Sequence, residues 1–320
     1  MLRAARDPRL IARVTRRTPL YYASGRDEAH DRPAHVRSAS SLTVWRGAIA
    51  VVSDDASFVA QVDPATGLCA AIALAASADG RRQFDARRGN KARKLDLESA
   101  FVLDGALIGL GSDSGLAIRR QAAIVDGAGP RLVALPRLYA ALHQPILGSG
   151  RLNLEGDTVS GARLVLGNRG GDCGADGVPT CDAITELPLD AIRALLTDPA
   201  RAAIPPIHWR PLHLDGLDGT ALRLTELEAW HGALLYAATA EATRSAYDDG
   251  AVVGSAIGIL AGEAARWAPV TDGAGAPLRD KLEGLVHLGD QLYAATDADD
   301  PDRASELLEL TLEGPWRLGL

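Results

Sequence analysis

Five stretches of this chain can be laid over one another: "SSLTVWRGAIAVVSDD" (40–55), "ESAFVLDGALIGLGSD" (98–113), "EGDTVSGARLVLGNR" (155–169), "ELEAWHGALLYAATAE" (226–241) and "EGLVHLGDQLYAATDAD" (283–299). Each runs from a polar opening residue through a short apolar stretch to a turn at Gly, then through a β-rich run to a polar end. The turn glycines are Gly47, Gly105, Gly161, Gly232 and Gly289, six or seven residues after the opening position. Asp-Gly, Ser-Gly and Gly-Asp pairs there are hairpin chemistry, because tight turns need the positive φ that Gly adopts without steric cost. The opening positions Ser40, Glu98, Glu155, Glu226 and Glu283 lie 58, 57, 71 and 57 residues apart. A period of that length, built of hairpins with no convincing helix between strands, predicts an all-β fold, a β-propeller rather than a parallel βαβ sheet.

Further strand-like runs complete the units: "FVAQVD" and "LCAAIALA" in the first, "LAIRRQAAIV" and "RLVALP" in the second, "SAIGILAG" and "ARWAPV" in the fourth. That makes about four strands per unit, as a propeller blade needs. The third unit carries an insertion at 170–205, in which the apolar spacing and closing Asp-Pro of "LPLDAIRALLTDPA" predict a short helix. The chain thus reads as one domain, 1–320, with blades starting near 36, 94, 151, 222 and 279 and an N-terminal segment at 1–30. Only 38 residues, 283 to 320, remain for the last unit. The strand-like "LIARVTRRTPLYY" (10–22) is expected to pair with that last sheet and close the ring, which suppresses exposed edges. Five blades is the reading; a sixth built from both termini is the alternative.

With 47% hydrophobic residues in 320, the chain can build a sizeable core without staples. A net charge of −7, from 41 acidic and 34 basic side chains, argues against a nucleic-acid partner despite the local "RRQFDARRGNKARK". No window approaches the roughly 20 apolar residues that cross a bilayer, and "MLRAARDPRLIARVTRR" lacks the apolar run of a secretory signal. The expectation is a monomeric, cytoplasmic protein with no membrane partner, bacterial by its Ala/Arg/Gly-rich composition. Cys69 reads as core. Cys173 and Cys181, in "CGADGVPTC", read as free thiols or a loop disulfide, since zinc would lack its third and fourth ligands. "GNRGGDCG" (167–174) lacks the Lys and Ser/Thr of a phosphate-cradling loop, so no nucleotide cofactor is expected.

In a propeller the innermost strands surround a central channel, so equivalent positions converge at one mouth. One column is the opening row, Glu98, Glu155, Glu226 and Glu283, with Ser40 breaking it. The other is the polar end of the following strand: Asp54 or Asp55, Asp113, Asn168 with Arg169, Glu241, and Asp297 with Asp299. Strands of a hairpin run antiparallel, so both columns face the same mouth. Carboxylates gathered there raise one another's pKa and call for cations. A hard ion such as calcium is one compensator; the basic residues Lys94, Arg151 and Arg279, each four before an opening Glu, with Arg169 and Lys281, are the other. These acids could equally cap backbone groups or bridge neighbouring blades, repeated because the blade is repeated. "AYDDGAVVGSA" (246–256) reads as a loop over the mouth. The seven histidines are scattered, and His35 is singled out only because "HVRSAS" leads into the first opening position.

On "NLEG", "KLEGL" and strand ends such as "VVSDD" and "AATDADD", the chain resembles bacterial propellers of the esterase-like phytase type, and more distantly gluconolactonase- and paraoxonase-like propellers. The resemblance implies a calcium ion or another divalent metal in the channel, polarising an ester, lactone or phosphoester. It implies Glu155 and Glu283 as Glu-Gly ligands and Asn168 and Asp113 as strand-end ligands, with Glu226 and Asp297 as further candidates. Glu98 precedes Ser, Glu226 precedes Leu, and no His–Asp dyad of the lactonases is identifiable. Two functions follow as expectations. One is a metal-dependent hydrolase with catalytic candidates Glu98, Glu155, Glu283 and His35. The other is a non-catalytic propeller holding a small anionic ligand or a protein partner through Lys94, Arg151, Arg169, Arg279 and Lys281.

Overall fold

The computed structural model describes residues 1–171, 179–242 and 250–317. The turn glycines set the first hairpin of every unit. Arg46 and Gly47 (φ 53° and 77°), Asp104 and Gly105 (51° and 78°), and His231 and Gly232 (47° and 79°) form turns with both central residues at positive φ, the geometry whose twist matches flanking strands. Four strands follow one another antiparallel in each of the first four units. In the first these are Ala39–Trp45, Ala48–Ser53, Phe58–Val62 and Leu68–Ala73. The second runs Leu97–Leu103, Ala106–Gly111, Gln121–Asp126 and Gly129–Ala134. The third has Leu154–Ser160, Arg163–Asn168, Asp182–Pro188 and Arg210–His213, and the fourth Thr220–Trp230, Ala233–Ala242, Ala251–Ala261 and Ala264–Thr271.

The fifth unit has only three strands of its own, Lys281–Leu288, Gln291–Asp297 and Glu306–Glu313. Its fourth is supplied by Ile11–Pro19, antiparallel to Glu306–Glu313 from Ile11 opposite Glu313 to Pro19 opposite Glu306. The N-terminal segment therefore joins the last sheet as expected. A second strand, Leu2–Arg6, was not expected: it runs parallel to Arg210–His213 and then to Ala264–Thr271, stitching the third unit to the fourth. The insertion helix is present as Leu189–Thr197. The expected strand "RLVALP" is present through Ala134, and its closing Pro136 opens a further helix, Pro136–Leu142.

The opening strands contact one another in the order first, second, third, fourth, fifth and back to first, so the units form a closed, propeller-like ring. One apolar cluster fills each junction. Trp45 and Val52 meet Leu97 and Leu107; Phe101 and Ile108 meet Leu164 and Leu166; Val165 and Ile184 meet Leu224 and Tyr236; Leu235 and Ile257 meet Leu285 and Leu292; Val286 and Leu307 meet Leu42 and Ile49. Burying each such side chain is worth about 1.5–3 kcal/mol, so the core is distributed around the ring. Cys69 is among the buried residues, as expected, and burial pushes its thiol up to about 12. Cys173 and residues 246–249 of the proposed mouth loop lie outside the described residues. Among the described residues no helix is long and apolar enough to cross a membrane.

Candidate functional site

Every opening strand carries a β-bulge at the same level. The register shifts between Ala39 and Ser41, Leu97 and Ser99, Leu154 and Asp157, Leu224 and Glu226, and Leu282 and Gly284. A bulge re-aims the extra side chain. The bulged residues are Ser40, Glu98, Glu155 with Gly156, Thr225 and Glu283, so the opening row holds three glutamates. Glu226 is corrected out of that row by one residue: its place there belongs to Thr225. Glu226 is fully buried instead. Its Oε2 accepts the Ser41 hydroxyl at 2.6 Å, and its Oε1 accepts the N–H groups of Asp157 and Leu227, each at 2.9 Å. The first and fourth units are not neighbours, so the bond to Ser41 crosses the channel. Gly156 leaves room for it, since a Cβ there would fall 2.6 Å from the Glu226 Cα.

A cavity of about 650 Å³ occupies the mouth where the opening strands begin and the second strands end. Glu98, Glu155, Lys94, Arg151, Arg169 and Lys281 line it together with Asp54, Asp96, Ser114, Arg119 and Asn153. On one wall the Lys94 ammonium bridges Asp54 and Asp96, the latter at 2.5 Å, and Arg119 Nη1 lies 2.7 Å from Asp96 Oδ2. Ser112 and Ser114 also donate to Asp96. Burial works against its charge, but Lys94 and Arg119 hold the Asp96 carboxyl below its ordinary range. Glu98 stands beside this group with no hydrogen bond or ion pair among the described residues. Burial, then the charges of Asp54, Asp96 and Glu155, push it well above the usual carboxylate range.

On the facing wall Arg169 joins three units. Its Nη1 lies 3.1 Å from Glu155 Oε2 and 3.8 Å from Glu283 Oε1, and its Nη2 lies 2.9 Å from Glu241 Oε2. Lys281 Nζ adds Glu283 Oε1 at 2.7 Å and Glu241 Oε1 at 3.8 Å. Asn153 Nδ2 donates to Glu155 Oε1 at 2.6 Å. Burial pushes the Glu283 carboxyl up to about 8, although Lys281 restrains it.

Several expected residues are differently employed. Asn168 is not directed at the mouth: its Oδ1 accepts the Asn153 N–H at 3.0 Å and its Nδ2 donates to the Cys181 carbonyl at 2.8 Å. Asp113 pairs with Arg120 at 2.7 Å and lies off the cavity lining. Asp297 is buried, its Oδ1 accepting the Asp299 N–H at 2.9 Å. His35 Nε2 contacts the Pro301 carbonyl at 3.2 Å, and its ring meets Tyr21 edge-on. Arg279 is exposed and outside the lining, and Lys281 takes the inward place. Asp96, Asn153 and Arg119 were missed. Asp96 and Asn153 stand two residues before Glu98 and Glu155, just ahead of their strands, and with Asp96 at a positive φ and a bulge following each, strand alternation does not point to them.

The raised carboxyls give a pH dependence of known sign. Glu283 keeps a proton up to about pH 8 when folded and loses it near 4.5 when unfolded. Across that window the native state binds the extra proton, so stability falls as pH rises, by about 1.4 kcal/mol per unit for such a group. Urea unfolding in chelator is expected to show a less stable protein at pH 8 than at pH 5, and Glu283→Gln to flatten the difference; greater stability at pH 8 would contradict this assignment.

A closed all-β ring with a charged, water-reached cavity at one mouth defines the class. The chain belongs to DUF6929, a family of unknown function whose profile matches residues 35–312. No curated protein sequence matches it. Among solved structures it is similar to Myxococcus xanthus glutaminyl cyclase (13% identity, 98% of each chain, TM-score 0.45). It is also similar to the PQQ domain of Coprinopsis cinerea pyranose dehydrogenase (12%, 97% of this chain and 100% of that one, TM-score 0.37). Trypanosoma rangeli sialidase is a third (9%, 95% of this chain and 59% of that one, TM-score 0.40). At these values the likeness does not extend to activity.

Proposed function

We propose that the five units are the five blades of a propeller and that the 650 Å³ mouth is the site of a divalent-metal-dependent hydrolase acting on an ester, lactone or phosphoester. The observation that carries this reading is the triad of Asp54, Asp96 and Glu98, each of which offers one carboxylate oxygen within 4.8 Å of the other two. Asp54 Oδ1 is buried without a hydrogen-bond partner, and Glu98 has none either. Hard oxygen donors gathered this closely fit calcium or a similar ion, so the three would hold it. Bound there, the ion would supply Lewis acidity to the scissile bond.

The chain's own groups prepare that place. Lys94 neutralises Asp54 and Asp96 while no divalent ion is held, and has a spacious cavity to swing into. Arg119 keeps Asp96 oriented, and Ser112 and Ser114 fix the carboxylate plane. Burial and its acidic neighbours raise the Glu98 carboxyl well above the ordinary range, and a cation held beside it would lower it again. Arg119 and Arg151 both line the cavity, so an anionic oxygen of a phosphoester would meet positive charge on its wall. An anion-holding, non-catalytic mouth is less well supported, because Lys94, Arg169 and Lys281 are already matched by carboxylates.

Calcium chloride titrated into chelator-treated protein is expected to bind at one site per chain, release protons and raise the melting temperature. Asp54→Asn with Glu98→Gln should abolish all three. Hydrolysis of nitrophenyl esters, lactones or nitrophenyl phosphate should follow the same dependence. Absence of calcium, magnesium, manganese and zinc responses would end the metal reading; binding with no turnover across these substrates would end the enzymatic one.

A further inference from the structure

Lys94 stands between two acids of the candidate metal triad. Its Nζ lies 2.5 Å from Asp96 Oδ1 and pairs with Asp54 Oδ2. The other Asp96 oxygen is taken: Arg119 Nη1 lies 2.7 Å from Oδ2, and the Ser112 and Ser114 hydroxyls donate to the same atom, Ser114 at 3.1 Å. Oδ1 is therefore the Asp96 atom open to an ion, and the ammonium holds it. Among the described residues Asp54 has no other ion pair. Burial works against the Lys94 charge, but Asp54, Asp96 and Glu98 keep the ammonium well above its ordinary range, so all three acids act on this one cation.

Calcium takes its oxygens at about 2.3–2.6 Å, the distance at which Nζ stands from Asp96 Oδ1. An ion and an ammonium on that one oxygen would repel across about 5 Å or less, so an ion bridging Asp54 and Asp96 takes the ammonium's place. The side chain has room to leave, because it is a flexible four-carbon stem lining the 650 Å³ cavity. We propose that Lys94 is a tethered occupant of the divalent-ion site: a metal binds by expelling its ammonium into the cavity, and the lysine thereby limits how tightly the site holds metal. The inference rests on the metal reading of this mouth and adds a regulator to it. Lys281 on the facing wall is differently placed, since Arg169 shares Glu241 and Glu283 with it.

The test is reductive methylation of the full, chelator-treated chain with and without calcium chloride, read by mass spectrometry at its lysines, Lys91, Lys94 and Lys281. Exposed Lys91 is expected to react alike in both conditions and Lys281 to stay slow in both. Lys94, 7% exposed, should be slow without calcium and severalfold faster with it. In calorimetry Lys94→Met should bind calcium about tenfold more tightly than the wild type, the gain from removing an internal competitor. Calcium binding to Lys94→Met alone would also support the proposal. Calcium that raises the wild-type melting temperature while Lys94 methylation stays slow would overturn it and leave the metal reading standing, as would a folded Lys94→Met protein that binds calcium no more tightly. Calcium binding to neither protein would end both. Where Lys94→Met fails to fold, methylation of the wild type decides.

Discussion

Arg169→Met is expected to cost about 3–5 kcal/mol of stability, the range found when one partner of a buried ionic group is removed. The side chain is 6% exposed and stands among Glu155, Glu241 and Glu283, themselves 7%, 7% and 3% exposed. Burial opposes its charge, yet those three carboxylates hold the guanidinium well above its ordinary pKa. Without it Glu155 and Glu241 must share one lysine, Lys281, or take up protons, as Glu283 already does below about pH 8. Adding Glu155→Gln and Glu241→Gln to Arg169→Met should therefore restore stability instead of lowering it further, a non-additivity that distinguishes a charge network from lost packing. A cost below about 1 kcal/mol in urea unfolding would show that the three units are not joined through this residue.

Removal of residues 1–22 is expected to abolish cooperative folding. Leu2 and Ala4 belong to the cluster between the third and fourth units, Leu10, Ala12 and Val14 to that between the fourth and fifth, and Leu20 and Tyr22 to that between the fifth and first. The truncation takes apolar contacts from three junctions and leaves Glu306–Glu313 as a bare edge. Circular dichroism and calorimetry should show no sharp transition, and the separate 1–22 peptide should restore one. A truncated protein melting within a few degrees of the full chain would mean that the ring does not depend on its closing strand.

The repeat was legible because hairpin turns are local. Arg46-Gly47 and Asp104-Gly105 fix positive φ within two residues, and the apolar runs beside them can be aligned by eye. The opening row was legible for Glu98, Glu155 and Glu283 but not for Glu226, since the bulge falls at Thr225 and a slip of one residue turns a side chain to another face. Charge pairing was half legible. Lys94 was found four residues before Glu98, but its partners are Asp54, from another unit, and Asp96. Arg169's links to Glu241 and Glu283 arise only when the ring closes, so no spacing along the chain encodes them. Leu2–Arg6 was missed because parallel pairing with two outer strands leaves no turn signal. Pro136 reads as a strand end in "RLVALP", although proline also suits a helix's first turn.

The closing bond between Ile11–Pro19 and Glu306–Glu313 has a cost in time. Thr15 and Glu309, linked across it, are 294 residues apart. At about 5–20 residues per second a ribosome needs roughly 15–60 s between making them. During that interval Ile11–Pro19 lacks its antiparallel partner and has only the short parallel pairing of Ala12 and Arg13 with Val270 and Thr271, and the first four units can assemble only as an open arc with a greasy flank at each end. A chaperone that shields such flanks until Glu306–Glu313 is made would raise the yield of the closed ring.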